Sequence, residues 1–241
     1  MILILAAVPL ETSLLRNELT TTRQARCGSS ELLFGQLRNQ EVILAHGGMG
    51  QVNMAIQLTL ILNSYSPDAV FLCGCGGSYP GHGLKLGDLA LAREEQFGDT
   101  GVAAQDRFIP LSELPIPQDP NCIPLFRQNL QLDPTLFAWA LEELGDIACG
   151  RFVTVNCCSG NQQVSRDLGQ RTAGLCENME GAAAALACDQ FGVPLLELRG
   201  ISNPTGTRDP REWDIFRGSE AAQQGILRLL EKWKPVFKEP S

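Results

Sequence analysis

Histidine is almost missing from this chain. Its 241 residues include only His46 and His82, and no Gly-x-Ser-x-Gly elbow accompanies them, so a serine–histidine triad has little to be built from. Basic residues are also in the minority. Nineteen Lys and Arg stand against 27 Asp and Glu, a formal net charge of -8, which argues against a nucleic-acid partner because phosphate-backbone binding needs clustered cations. A small-molecule substrate is expected instead. No apolar run nears the roughly 20 residues that cross a bilayer as a helix. Residues 1–8 are apolar but lack a basic leader and meet Pro9 and Glu11 too early for a signal peptide. The expectation is a cytoplasmic protein with no membrane partner. Gly47-Gly48-Met49-Gly50 lacks the Lys-Ser/Thr ending of a phosphate loop, and no Gly-x-Gly-x-x-Gly follows the first strand. No cofactor is therefore expected. Nine cysteines are present, an odd number without Cys-x-x-Cys or His/Cys zinc spacing. They read as mostly reduced core thiols, and no metal site is expected.

What the chain does have is a globular composition, 44% hydrophobic and 19% charged, and a length suited to one large domain spanning 1–241. Residues 2–8 form a continuous apolar run, as in a strand covered on both faces. The Leu spacing over 10–19 predicts a helix with Glu11 in its first turn, just beyond that strand. Strands are predicted at 31–37, 41–46, 69–73, 86–92, 147–155 and 194–201. Helices are predicted at 51–62, 133–144, 179–191 and 218–233. Asp133-Pro134 supplies a cap and first-turn pair, and Gly192 closes the helix ending at Phe191. Residues 74–78 read as a glycine turn and 95–122 as a long irregular excursion. This alternation predicts an α/β fold, a three-layer α/β/α sandwich around a central mixed, largely parallel sheet. Ligands of such sheets collect beyond the C-terminal strand ends, where Glu11, the 74–78 segment and Ser202-Asn203 fall.

Six blocks then carry a resemblance. They are Ala6-Ala7-Val8-Pro9-Leu10-Glu11, Gly47-Gly48-Met49-Gly50, Gly74-Cys75-Gly76-Gly77, Leu86-Gly87-Asp88, Asn178-Met179-Glu180-Gly181-Ala182-Ala183 and Leu198-Arg199-Gly200-Ile201-Ser202-Asn203. Together they resemble the nucleoside phosphorylase and nucleosidase family, in order over nearly the whole chain. Within it, Ser78-Tyr79-Pro80-Gly81, Phe97-Gly98-Asp99-Thr100-Gly101 and the segment from Ser202-Asn203-Pro204 to Arg208-Asp209 resemble the futalosine hydrolases more closely than the methylthioadenosine/S-adenosylhomocysteine nucleosidases. That likeness implies release of hypoxanthine from futalosine in a menaquinone pathway.

Cleaving a glycosidic bond passes through an oxocarbenium-like state, which calls for a base to position water, partners for the sugar hydroxyls and help for the departing base. By resemblance, Glu11 is the water-activating glutamate; as a bare residue it also fits a solvated acid at a helix start. Glu180 matches the acceptor of the ribose hydroxyls and Met179 the apolar ribose contact, although a helix-start acid is the plain reading of Glu180. Asn203 stands where hydrolases of 6-aminopurines carry Asp. An amide can donate to a purine O6 but has no proton to give up, which favours a 6-oxopurine. Cys75 replaces the usual Ser beside the catalytic glutamate, leaving the backbone amides of 75–77, Gly76 among them, to take over its support. Cys158 and Ser159 match the strand end whose backbone reads the purine edge. Arg208 is a candidate for pairing an anionic group on the 5′ side, such as futalosine's benzoate, or an ordinary loop arginine. Arg199, inside a strand, reads as a structural ion-pair partner.

Phosphorolysis is the nearest rival, but it calls for an arginine cluster or anion nest that residues 74–81 lack. A binding module with degraded catalysis is the other. The resemblance also implies a homodimer or higher homo-oligomer, with the Pro-rich excursion as a loop a neighbour shares.

Overall fold

The computed structural model describes residues 1–115 and 127–234, so residues 116–122 of the predicted excursion lie outside the described residues. In chain order the elements are β1 (Ile2–Ala6), α1 (Ser13–Glu18), β2 (Thr20–Cys27), β3 (Ser30–Leu37), β4 (Gln40–His46), α2 (Gln51–Ser64), β5 (Ala69–Ser78) and β6 (Leu89–Phe97). They continue with β7 (Gly101–Ala103), β8 (Phe108–Pro110), β9 (Asn129–Gln131), α3 (Pro134–Leu144), β10 (Ala148–Thr154), α4 (Gln162–Thr172), β11 (Cys176–Asn178), α5 (Gly181–Phe191), β12 (Leu195–Pro204) and α6 (Ile215–Lys232).

The apolar run of β1 is buried on both faces, and its alternation sorts the core in two. Leu3 and Leu5 pack with Met54, Leu58 and Ile61 of α2 and the alanines of α5. Ile2, Ile4 and Ala6 pack with Leu15 of α1, Leu136 and Ala140 of α3, and Ile226 and Leu230 of α6. Each such aliphatic side chain contributes roughly 1.5–3 kcal/mol on burial. Asp133 caps α3 by accepting from the Thr135 and Leu136 amides at 3.0 and 2.8 Å, with Pro134 in its first turn. Gly192 ends α5 with a left-handed φ of 64°.

The sheet is mixed, α/β in class, and less parallel than expected. Ten strands run β11-β10-β6-β12-β5-β1-β4-β3-β2 with β9 on β6. Parallel pairs join β1 to β4 and β5, β10 to β6 and β11, and β12 to β5. Antiparallel pairs are equally numerous, β5–β11, β6–β12, β2–β3, β3–β4 and β6–β9. Because β11 pairs with β5 as well as β10, the strands β5, β12, β6, β10 and β11 close on themselves, and the sheet is partly closed rather than open.

Local expectations shift where glycine or polarity misleads. The turn expected over 74–78 is the last stretch of β5, and its glycines serve close approach: a Cβ on Gly74 would sit 2.6 Å from Glu11 Oε1. Glu11 itself lies in a 3-10 turn, Pro9–Thr12, ahead of a short α1. The strand expected at 86–92 starts at Leu89 after a turn in which Gly87 has φ 86°. The excursion begins with the end of β6 and the β7–β8 hairpin. Exposed β2 and polar α4, capped by Asn161, have no apolar period to announce them. Among the described residues no helix is long and apolar enough to cross a membrane.

Gly200 of β12 and Gly218 of α6 let two backbones touch: a Cβ on Gly200 would overlap the Gly218 carbonyl, and one on Gly218 would lie 2.9 Å from the Gly200 oxygen. Backbone cannot rotate away as a side chain can. Gly200→Ala is expected to lower stability by about 1–3 kcal/mol or more, read as a lower urea midpoint; an unchanged midpoint would contradict this packing.

Candidate active site

A cavity of about 340 Å³ opens where β1, β5, β11 and β12 end, within the usual range for small-molecule pockets. Glu11, Cys75, Gly76, Cys158, Ser159, Met179, Glu180, Asn203 and Arg208 all line it, which brings together residues far apart in the chain.

Glu11 is 4% exposed, and backbone holds its carboxylate. Oε2 accepts from the amides of Ala7 at 3.1 Å and Val8 at 3.3 Å, and Oε1 accepts from the Cys75 amide at 2.9 Å. The Cys75 backbone thus provides a donor to this carboxylate independent of its side chain. Its thiol is pushed up to about 12 by burial first and by Glu11 next, so it stays protonated.

Glu180 precedes the first turn of α5. Its Oε1 accepts from the Gly50 amide at 2.9 Å, and Oε2 faces Arg199 Nη1 at 3.4 Å. This explains the glycine block at 47–50: Gly50 adopts φ 86° and turns its N–H across to α5. Arg199 is an ion-pair partner, with Nε donating to Glu197 Oε1 at 2.8 Å. It does more than that reading assigned, since Nη1 also reaches Glu180 and the Cys75 carbonyl.

Asn203 has a defined orientation. Its Oδ1 accepts from the Ser202 hydroxyl at 2.8 Å and its Nδ2 donates to the Pro204 carbonyl at 3.0 Å. A carbonyl can only accept, so the amide nitrogen must face Pro204. One N–H remains free.

The outer wall is apolar, with Leu10, Met49, Trp213 and Ile215. The Arg208 guanidinium lies 4.5 Å from the Trp213 ring centroid, and among the described residues no carboxylate forms an ion pair with it, whereas neighbouring Asp209 is taken by Arg211. A cation stacked on an indole and left without a counter-ion is poised for an anionic ligand group.

Sequence reasoning missed Glu177. It lines the cavity and accepts from the Ser159 amide at 2.9 Å, the Ser159 hydroxyl at 2.5 Å and the Tyr79 hydroxyl at 2.9 Å. Its nearness to the 178–183 block was the available signal. His46 is outside the cavity lining, bonded to the Thr12 hydroxyl at 2.7 Å. Burial, then Arg16, lowers it to about 4, so it is neutral at physiological pH.

Comparison with known proteins gives the family and the fold. The family model described as the phosphorylase superfamily matches residues 1–231. A futalosine hydrolase of Thermus thermophilus is 32% identical over 200 residues, covering 83% of this chain and 85% of its own. A 5′-methylthioadenosine/S-adenosylhomocysteine nucleosidase of an Exiguobacterium species is 29% identical over 216 residues, 88% of this chain and 89% of its own. The fold matches the crystal structure of the Neisseria meningitidis nucleosidase of that second kind, in complex with methylthio-immucillin-A. The TM-score is 0.82 at 19% identity, over 96% of this chain and 99% of that one. With the family model spanning nearly its whole length, the chain belongs to the phosphorylase superfamily.

Proposed function

We propose that the chain is a hydrolase of purine nucleosides in which Glu11 activates water, Glu180 and Met179 hold the ribose, and Asn203 meets the purine, with futalosine as the leading substrate. The observation that carries the reading is the convergence of two buried carboxylates held by different parts of the fold on one cavity. Glu11 is oriented by three amides, so its carboxylate is fixed for one task. It accepts a proton from water as the C–N bond breaks and the ribosyl carbon becomes cationic. Glu180 keeps lone pairs for the ribose hydroxyls beyond those given to Gly50 and Arg199.

Asn203 favours hypoxanthine over adenine as leaving base. Its free N–H suits a purine acceptor, O6 or N7, and an amide gives up no proton. A more acidic leaving base needs less protonation. Arg208 and the apolar outer wall suit an aromatic carboxylate on the 5′ side. A second reading, methylthioadenosine/S-adenosylhomocysteine cleavage, is supported by the relatives bearing that name and by the same apolar wall, which also suits a thioether.

The two readings separate in one assay of futalosine, aminofutalosine, inosine and methylthioadenosine, each with and without phosphate, following free base. Release without phosphate is expected, fastest from futalosine. Release only with phosphate would replace hydrolysis by phosphorolysis, and faster cleavage of the 6-amino substrates would reject the role given to Asn203. Glu11→Gln is expected to keep ligand binding while turnover falls by roughly two to four orders of magnitude; near-normal turnover would remove Glu11 from the chemistry.

A homodimer is the expected assembly. Val52 and Ile56 of α2 are 69% and 58% exposed and Phe191 of α5 is 39% exposed, and Met49, at 66%, belongs to the cavity wall as well. A second copy on that face would cover apolar surface and the open side of the cavity at once. Light scattering is expected to give twice the chain mass at micromolar concentration, and a monomer would refute this.

A further inference from the structure

Behind the cavity lies a cluster of charge that the scheme above leaves unused. Glu95 of β6, Glu197 and Arg199 of β12 are each 1% exposed or less. Arg199 gives Nε to Glu197, Nη1 to Glu180, and Nη2 to Asn178 Oδ1 at 3.5 Å. Glu95 makes no ion pair among the described residues. Its Oε1 accepts from Asn178 Nδ2 at 2.6 Å and its Oε2 from the Thr154 hydroxyl at 2.7 Å.

Gly181 reveals how near the two acids come. A Cβ there would collide with Glu95 Oε1 and lie 2.6 Å from Glu197 Oε2, so both oxygens converge over the same backbone atom. Glu197 Oε2 has no other hydrogen-bond partner. Two buried carboxylates in that relation repel strongly, and one proton between them relieves the repulsion and satisfies the orphan oxygen. Arg199 lies on Glu197 and therefore favours the charge there. Asn178 completes the link to the cavity, because its Oδ1 accepts from the Glu180 and Gly181 amides at 2.9 and 2.7 Å while its nitrogen is held by Glu95.

We propose that Glu95 is a positioning residue for the ribose site: it keeps its proton at neutral pH, donates it to Glu197 Oε2, and through Asn178 fixes the start of α5 that presents Glu180. The positioning half rests on the ribose-holding role given to Glu180; the proton half does not. The groups that face Glu95 are Glu197 and Arg199 from β12, Thr154 from β10, Asn178 and Cys176 from β11, and Glu180 at the head of α5. Burial and then Glu197 raise the Glu95 acid well above 4.5, against the smaller pull of Thr154, Arg199 and Asn178.

The sign of the pH effect follows. Unfolded chain releases this proton near 4.5 while folded chain retains it, so this acid's contribution is full below that value and is lost as pH rises toward the folded one. Urea unfolding of wild type and Glu95→Gln at pH 5 and pH 8 reads this directly. Wild type is expected to lose stability relative to the Gln variant, by up to about tenfold in the unfolding constant per pH unit. Parallel pH dependence in the two proteins would overturn the proton. For positioning, Glu95→Gln keeps a donor for Glu197 when its nitrogen takes the place of Oε1, and that nitrogen cannot accept from Asn178 Nδ2 as Oε1 does, so KM for the nucleoside is expected to rise about three- to tenfold with kcat changed less. Lower kcat at unchanged KM would mark a merely structural role and overturn positioning. Absence of turnover from any nucleoside would sink the ribosyl reading and the positioning role with it, and the unfolding comparison would still decide the proton.

Discussion

One buried guanidinium organises this protein. Arg199, 1% exposed, pairs with Glu197 within β12 and ties that strand to β5 through the Cys75 carbonyl, to β11 through Asn178 and to the head of α5 through Glu180. Removing such a cation from water is costly unless every donor finds a partner. The partners supplied are the elements that wall the cavity. The fold therefore compensates its most expensive buried charge with the groups that define the site. Arrangements that displaced one of these strands would leave a charge unmatched in low dielectric, which favours this arrangement over looser alternatives.

Close approach is the second constraint, and glycine provides it. Gly74 lets Glu11 lie against β5, Gly181 makes room for the two acids behind α5, and Gly50 turns an amide toward Glu180. A side chain at Gly74 or Gly181 would push a carboxylate aside, and one at Gly50 would strain the positive-φ backbone that aims its amide. Glu11 is thus held by main chain alone and Glu180 in part by the Gly50 amide, donors that cannot swing aside when substrate arrives.

This explains which parts of the structure were legible in the sequence. The apolar run of β1, the Asp133-Pro134 start of α3 and the Gly192 stop of α5 are local signals with local causes, and they hold. Residues 74–78 show the opposite case: the same glycines that mark turns elsewhere here admit side chains from other elements, so a turn was expected and a strand found. β11 has only three residues, Cys176–Asn178, too few for any period, yet its second pairing closes the ring. Glu95 was hidden for the same reason. It lay at the edge of an expected irregular segment, and its meaning depends on β6 running antiparallel beside β12. Glu197, two residues before Arg199, was within reach because alternation puts both on one face.

The purine end of the cavity shows how a small irregularity carries chemistry. Strand alternation would send Ser202 and Asn203 to opposite faces, yet both line the cavity. The β12–β5 register explains it: Ile201 pairs with Gly76 and Asn203 with Gly77, leaving Ser202 as the extra residue of a bulge. The bulge turns the Ser202 hydroxyl onto the Asn203 amide, so a neighbour fixes the orientation of the side chain to which base recognition is assigned. An acid at this position would still accept from the Ser202 hydroxyl but could not donate to the Pro204 carbonyl, so the amide is the form of residue 203 that satisfies both neighbours.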